Sequence, residues 1–160
     1  MKQFIFRYFF WLLLLFTLLY WPQNPVALWL NELQRQLTLA GLAPFLNPGQ
    51  LQGIDIIINP HYKIIITQAC NGVIPVLFLW AGILAFPAPL WYRFLWLLIG
   101  YVGFSIVNVV RLLMVVHFVE KGGQPSFYWA HDILGNGLLI LFGQLLFMLY
   151  LRGSRRFRKY

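Results

Sequence analysis

The sequence predicts an all-α membrane protein with about four transmembrane helices, plus a surface helix and a β-hairpin outside the hydrocarbon. Three observations carry this reading. Hydrophobic residues make up 61% of the 160-residue chain and charged residues only 10%, whereas a soluble domain carries roughly a quarter charged residues. Mean hydropathy is +0.72. Most basic residues flank apolar runs, and five of them, Arg152, Arg155, Arg156, Arg158 and Lys159, sit in the last nine residues. A soluble chain of this composition lacks the polar side chains to cover its surface, so lipid is the solvent that fits. The length suits a single integral membrane domain over residues 1–160, with no room for a separate soluble enzyme. The net charge of +8 does not read as nucleic-acid binding, because no basic stripe lies on a soluble fold. Cations next to an apolar span read instead as anchors for anionic headgroups.

The first span is expected at about residues 4–21, after Lys2. A signal peptide has the same basic and apolar regions, but Pro22-Gln23-Asn24-Pro25 follows where a small-x-small cleavage site would stand. The run therefore reads as an uncleaved anchor. Residues 22–69 form an extracytoplasmic insert. Val26, Leu30, Leu33, Leu37 and Ala40 recur at helical spacing, which predicts a helix along the membrane surface with Trp29 near the headgroups. Two β-branched runs, Ile56–Ile58 and Ile64–Thr67, flank Asn59-Pro60-His61-Tyr62 and predict a hairpin that caps the helices from the aqueous side. Further spans are expected at about 71–87, 92–118 and 131–151, with a loop at 119–130 and a cytoplasmic basic tail at 152–160.

Lys and Arg set the orientation. Lys2, Arg7, Arg93 and the five tail residues fall on one side; Arg35, Lys63 and Lys121 fall on the other. Both ends and the loop near residue 90 are therefore predicted cytoplasmic, and the hairpin is predicted to face outward.

An ionisable residue inside a span is a functional candidate by default. Arg111 lies 18 residues beyond Arg93, about 27 Å along a helix, in the outer leaflet. Cys70 opens the second span and His131 opens the fourth, both at the outer end. Three helices thus bring a thiol, a guanidinium and an imidazole to one depth. A thiolate is the reactive form of cysteine, and a helix N-terminus or a cation favours it. Pro75 as the first-turn residue would leave Cys70 in the preceding loop. Arg111 suits stabilisation of the thiolate or of an oxyanion, and His131 suits general base and acid work near neutral pH. Asn108, three residues before Arg111 on the same face, is placed to orient it. Gly72 gives backbone or substrate room to approach. Asp132, adjacent to His131 on a regular helix, is expected to face elsewhere and to serve as a first-turn helix acid.

Each of these residues also has a bland reading: Cys70 as a small apolar filler, Arg111 snorkelling to headgroups, His131 as a cap. His61 and His117 read as structural or interfacial. The single cysteine excludes an intramolecular disulfide, and no Cys/His spacing matches a metal site, so neither a metal nor another cofactor is expected.

Gln68-Ala69-Cys70-Asn71-Gly72 resembles the ACxG motif of the exosortase/archaeosortase family. Asn108-Val109-Val110-Arg111 resembles its NxxR motif, and His131-Asp132-Ile133-Leu134-Gly135 its HxxxG motif. The three occur in the family's order, over about residues 50–137, in the manner of the short forms such as the exosortase H type. The resemblance implies a cysteine protease or transpeptidase of the bacterial cytoplasmic (inner) membrane with its site on the extracytoplasmic side. Its substrates would be exported proteins bearing a C-terminal sorting signal: a short motif, an apolar helix and a basic tail. The new carboxyl end would pass to a membrane lipid or lipid-linked acceptor. By that resemblance Cys70 is the nucleophile, Arg111 the cation and His131 the acid/base, with Asn108, Asn71, Gly72 and Gln68 in support. Many members carry Glu where this chain has Gln68. The competing readings are a non-catalytic membrane assembly or scaffold protein, and a small transporter built around Arg111. The latter lacks a polar path, since Gln144 is the one polar exception in the cytoplasmic halves of spans two to four apart from Arg93 at the membrane boundary.

Overall fold

The computed structural model describes residues 2–157 and is mainly helical, with a small sheet at one end of a helical bundle. Helix α1 (Lys2–Leu19) buries Leu15 and leaves Phe6, Phe9, Phe10 and Leu13 exposed, as a helix that meets lipid does. The connection ends at Asn24, whose side chain accepts from Val26 N at 2.9 Å, and Pro25 takes the first helical position of α2 (Pro25–Leu42). The periodic apolar residues of α2 turn outward: Val26, Leu33 and Leu37 are exposed. The buried stripe is instead Ala27, Asn31, Gln34, Thr38 and Leu42. Asn31 and Gln34 face inward because they pair with polar backbone and side chains at the site described below.

The expected hairpin is a three-stranded antiparallel sheet in the order β1 (Leu51–Gln52), β2 (Asp55–Asn59), β3 (Tyr62–Ile65). Gly53, at φ +61°, turns the chain back after Gln52 and so adds the extra strand. Lys63 Nζ donates to Asp55 Oδ2 at 2.5 Å across β2 and β3. Ile56, Ile64 and Ile66 are buried against Leu42, Leu112, Val115 and Val119, which seats the sheet on the last third of α4.

Helix α3 (Val73–Ala85) is followed by α4 (Leu90–Gly122). The expected loop at 119–130 shrinks to a break at Gly123, φ +68°, and Gln124. Pro125 then starts α5 (Pro125–Tyr128), which runs through a π-helix (Trp129–Gly135) into α6 (Asn136–Ser154). Three helices are long and apolar enough to cross a membrane: Lys2–Leu19, Leu90–Gly122 and Pro125–Phe157. The expected four spans thus become three, plus the apolar but 13-residue α3. At that length α3 reaches about 20 Å, short of a hydrocarbon layer of about 30 Å. It starts late because residues 68–72 form a separate turn, and it ends at Phe86, just before Pro87.

Helix α3 lies against α1, α4 and α6. Phe4 meets the ring of Phe86, which meets Tyr150, and Tyr92 Oη donates to the Tyr150 carbonyl at 3.0 Å. The start of α1, the α3–α4 connection and the end of α6 therefore share one end of the bundle, opposite the sheet. Arg158 and Lys159 of the basic tail lie outside the described residues.

Candidate active site

Cys70 closes a single 3-10 turn, Gln68–Cys70, rather than opening α3. Asn71 then folds its side chain forward so that Oδ1 accepts from Val73 N at 3.0 Å, an Asx turn that starts the helix. Gly72 sits at φ +79°, and a Cβ there would stand 2.9 Å from Asn108 Cγ. This double demand explains the glycine. With no side chain in the way, Asn108 Nδ2 donates to the Cys70 carbonyl at 2.9 Å.

Buried Asn71 is held from α2. Its Nδ2 donates to Asn31 Oδ1 at 2.9 Å, and its carbonyl accepts from Gln34 Nε2 at 3.2 Å. Gln34 Nε2 also reaches Ser105 Oγ at 3.1 Å. Asn31, Gln34 and Thr38 form a polar stripe at three- and four-residue spacing, masked in the sequence by the apolar residues of the same helix. Gln68 points away, with Nε2 donating to the Tyr20 carbonyl at 3.1 Å, and so ties the turn to the end of α1.

The three reactive side chains meet. Cys70 Sγ lies 3.7 Å from His131 Nε2, and Arg111 Nη2 lies 3.0 Å from the same nitrogen. Arg111 is 2% exposed. Its Nη1 donates to Asn108 Oδ1 at 3.3 Å and its Nη2 to Asn136 Oδ1 at 3.0 Å. Its Nε is buried without a hydrogen-bond partner. Among the described residues no carboxylate forms an ion pair with it. A buried cation held by neutral groups is costly unless an anion completes it. Phe127 stacks on the His131 ring at 4.9 Å between centroids and covers one face.

Asp132 corrects the expectation from helical geometry. Its Oδ1 accepts from His131 Nδ1 at 2.7 Å. Residues 129–135 form a π-helix, whose wider turn brings consecutive side chains closer in direction than an α-helix does. While His131 is neutral, Nε2 accepts from Arg111, which can only donate, and Nδ1 carries the proton shared with Asp132. Once Nε2 takes the thiol proton it donates to the thiolate instead. Asp132 thus fixes the tautomer and aims Nε2 at the thiol. The π-turn also aligns Asn136 with His131, five residues earlier, and that spacing is a signal only once the π-turn is known.

Burial pushes the Cys70 thiol up, yet the hydrogen bonds from His131 and Thr67 outweigh it and bring the pKa from 9.0 down to about 7. Thr67 Oγ1 donates to Sγ at 3.6 Å. Above pH 7 the thiolate dominates, so alkylation by iodoacetamide should rise with a midpoint near that pH. Replacing His131 with Ala should move the midpoint up by at least one unit and slow alkylation at pH 7 about fivefold or more. An unmoved midpoint would show that His131 does not govern the thiol.

Gly135 completes the packing. A Cβ there would stand 2.7 Å from Arg111 Nε and 3.0 Å from the Ala130 carbonyl. Gly135→Ala should push the guanidinium off its acceptors and lower stability by about 1–3 kcal/mol, read as a lower unfolding midpoint in detergent. His61 and His117 are both exposed and take no part in the cluster.

The fold and the site define a helical membrane protein in which a thiol, an imidazole and a buried guanidinium converge. The chain belongs to the transmembrane exosortase family, whose pattern it matches over residues 1–151. A search of characterised proteins gives no match, and a comparison with solved structures gives none.

Proposed function

We propose that this exosortase is an active cysteine protease or transpeptidase that cleaves a C-terminal sorting signal from exported proteins. The observation that carries the reading is Arg111: a buried guanidinium without a carboxylate, bonded to the nitrogen that also faces the thiol. Such a cation is suited to the negative charge that appears first on sulfur and then on a tetrahedral oxygen.

The reaction is a two-step acyl transfer. The Cys70 proton moves to His131 Nε2, and the thiolate attacks the carbonyl carbon of the scissile peptide. A C–S bond forms, the C–N bond breaks, and His131 returns its proton to the leaving amine. In the second step an acceptor amine or hydroxyl, or water, gives its proton to Nε2 and attacks the thioester, which releases the thiolate. Asp132 holds the imidazole throughout, and Asn108 and Asn136 hold Arg111. The charge asymmetry of the sequence supports a site facing outward from a bacterial inner membrane, with both chain ends cytoplasmic. Partners on this reading are exported proteins with the tripartite signal and a lipid or lipid-linked acceptor.

The test is capture of the acyl-enzyme. Co-expression with such a substrate, followed by acid quenching, should yield an adduct on the Cys70 peptide that hydroxylamine releases. Processing without any thioester on Cys70 would refute covalent catalysis by this residue.

A further inference from the structure

A membrane-facing cavity of about 520 Å³ lies below the site, lined by Tyr8, Phe78, Gly82, Ile140, Gln144 and Phe147 among others. Helix α3 forms its floor, with α1 on one side and α6 on the other. Its upper margin is Pro75 of α3 and Leu139 of α6. These residues stand five and eight positions beyond Cys70 and His131 respectively. The cavity therefore runs down the seam between the helix that follows the thiol and the helix that follows the imidazole. Phe104 of α4 closes it at the back.

All but one of the side chains in this wall are apolar, aromatic or glycine. The exception is Gln144, which is exposed and takes part in none of the hydrogen bonds among the described residues. It lies 13 residues beyond His131 and eight before Arg152, or about 20 Å and about 12 Å along the helix. That depth is inside the hydrocarbon, where an amide without a partner is unfavourable. A lipid acyl or isoprenoid chain offers such an amide nothing. A transmembrane helix offers backbone carbonyls, and serine or threonine side chains where present, which are the usual bonding partners between helices in lipid.

We propose that the cavity is the docking groove for the apolar helix of the substrate, with Gln144 as its polar contact. This rests on the protease reading above and extends it. The helix enters sideways from the bilayer between α1 and α6. Its outer end then falls beneath Cys70, so the peptide bond just beyond the membrane segment is the one presented to the thiol. Selection for an apolar segment would thus be made in the groove, and selection for the scissile bond at the Cys70–His131 pair.

The test uses the full chain in proteoliposomes with p-benzoylphenylalanine placed at Ile140, an exposed groove position, or at Leu98, an exposed position on α4 outside the groove. The probe is a reporter domain ending in an apolar helix of about 20 residues, with a single serine moved along it and a basic tail. Light should join the reporter helix to position 140 and not to position 98, in the native chain and in Cys70→Ala alike. The yield should peak when the serine lies about 20 Å below the outer end of the helix, level with Gln144. Gln144→Leu should lower the yield about threefold at subsaturating reporter, the usual worth of one such bond between helices. Ile140→Trp, which fills the groove from an exposed position, should prevent processing of a cleavable substrate while Cys70 still alkylates at the normal rate. Equal capture at positions 98 and 140, lipid adducts alone, or only a cross-linked second copy of the chain would overturn the proposal. Capture at 140 without any thioester on Cys70 would instead retain the groove and remove the protease reading.

Discussion

Cys70→Ala should abolish release of the sorting signal from a co-expressed substrate, with a rate loss of about 10⁴-fold or more, as deletion of a covalent nucleophile does elsewhere. The change removes one sulfur atom and little else. The Cys70 carbonyl keeps its bond from Asn108, and Asn71 keeps its bonds to α2. The turn is therefore expected to stay folded and the protein to reach the membrane at its normal level. Cys70→Ser should be equally inactive, because a hydroxyl is far less acidic than a thiol and His131 cannot ionise it to a useful extent. Immunoblotting for precursor and mature substrate, with the enzyme level measured in the same membranes, reads both points. Normal processing in the alanine variant would leave the scaffold reading standing.

Arg111→Lys should lower processing about 10²- to 10³-fold, the usual cost of losing an oxyanion donor. A lysine keeps the charge but not the planar fork that reaches Asn108, Asn136 and His131 at once. Arg111→Met separates function from structure. It removes a buried cation that pairs with no carboxylate among the described residues, but it also leaves Asn108 Oδ1 and Asn136 Oδ1 without their donor. The two effects oppose, so stability in detergent should change little while processing is lost. A large fall in the unfolding midpoint with Arg111→Met would mean that the guanidinium serves the fold instead of the reaction.

Much of the site is readable in the sequence because a bilayer leaves few places for polar residues. Cys70, Arg111 and His131 stand out against apolar runs, and counting residues from the ends of those runs assigns them one depth. Asn108 follows from its spacing to Arg111. Asp132 and Asn136 do not follow, because both depend on a π-turn, and periodic reasoning assumes 3.6 residues per turn. Asn31 and Gln34 were equally hidden: α2 carries an apolar and a polar stripe, and only the bonds to Asn71 and Ser105 show that the polar one faces inward. Gly72 and Gly135 are visible as motif positions, but only the approach of Asn108 and Arg111 explains why a Cβ is excluded there.

By itself the sequence determined that this chain lives in a membrane, which residues are its candidate site residues, and in what order they occur, since hydropathy and charge act locally along the chain. The tertiary structure decided how many helices are long enough to cross, that the thiol rests on a turn ahead of α3, and that Asp132 turns toward His131. It also decided that, among the described residues, no carboxylate forms an ion pair with Arg111. Those outcomes depend on which surfaces meet, and contacts between residues far apart in the chain carry no local signal.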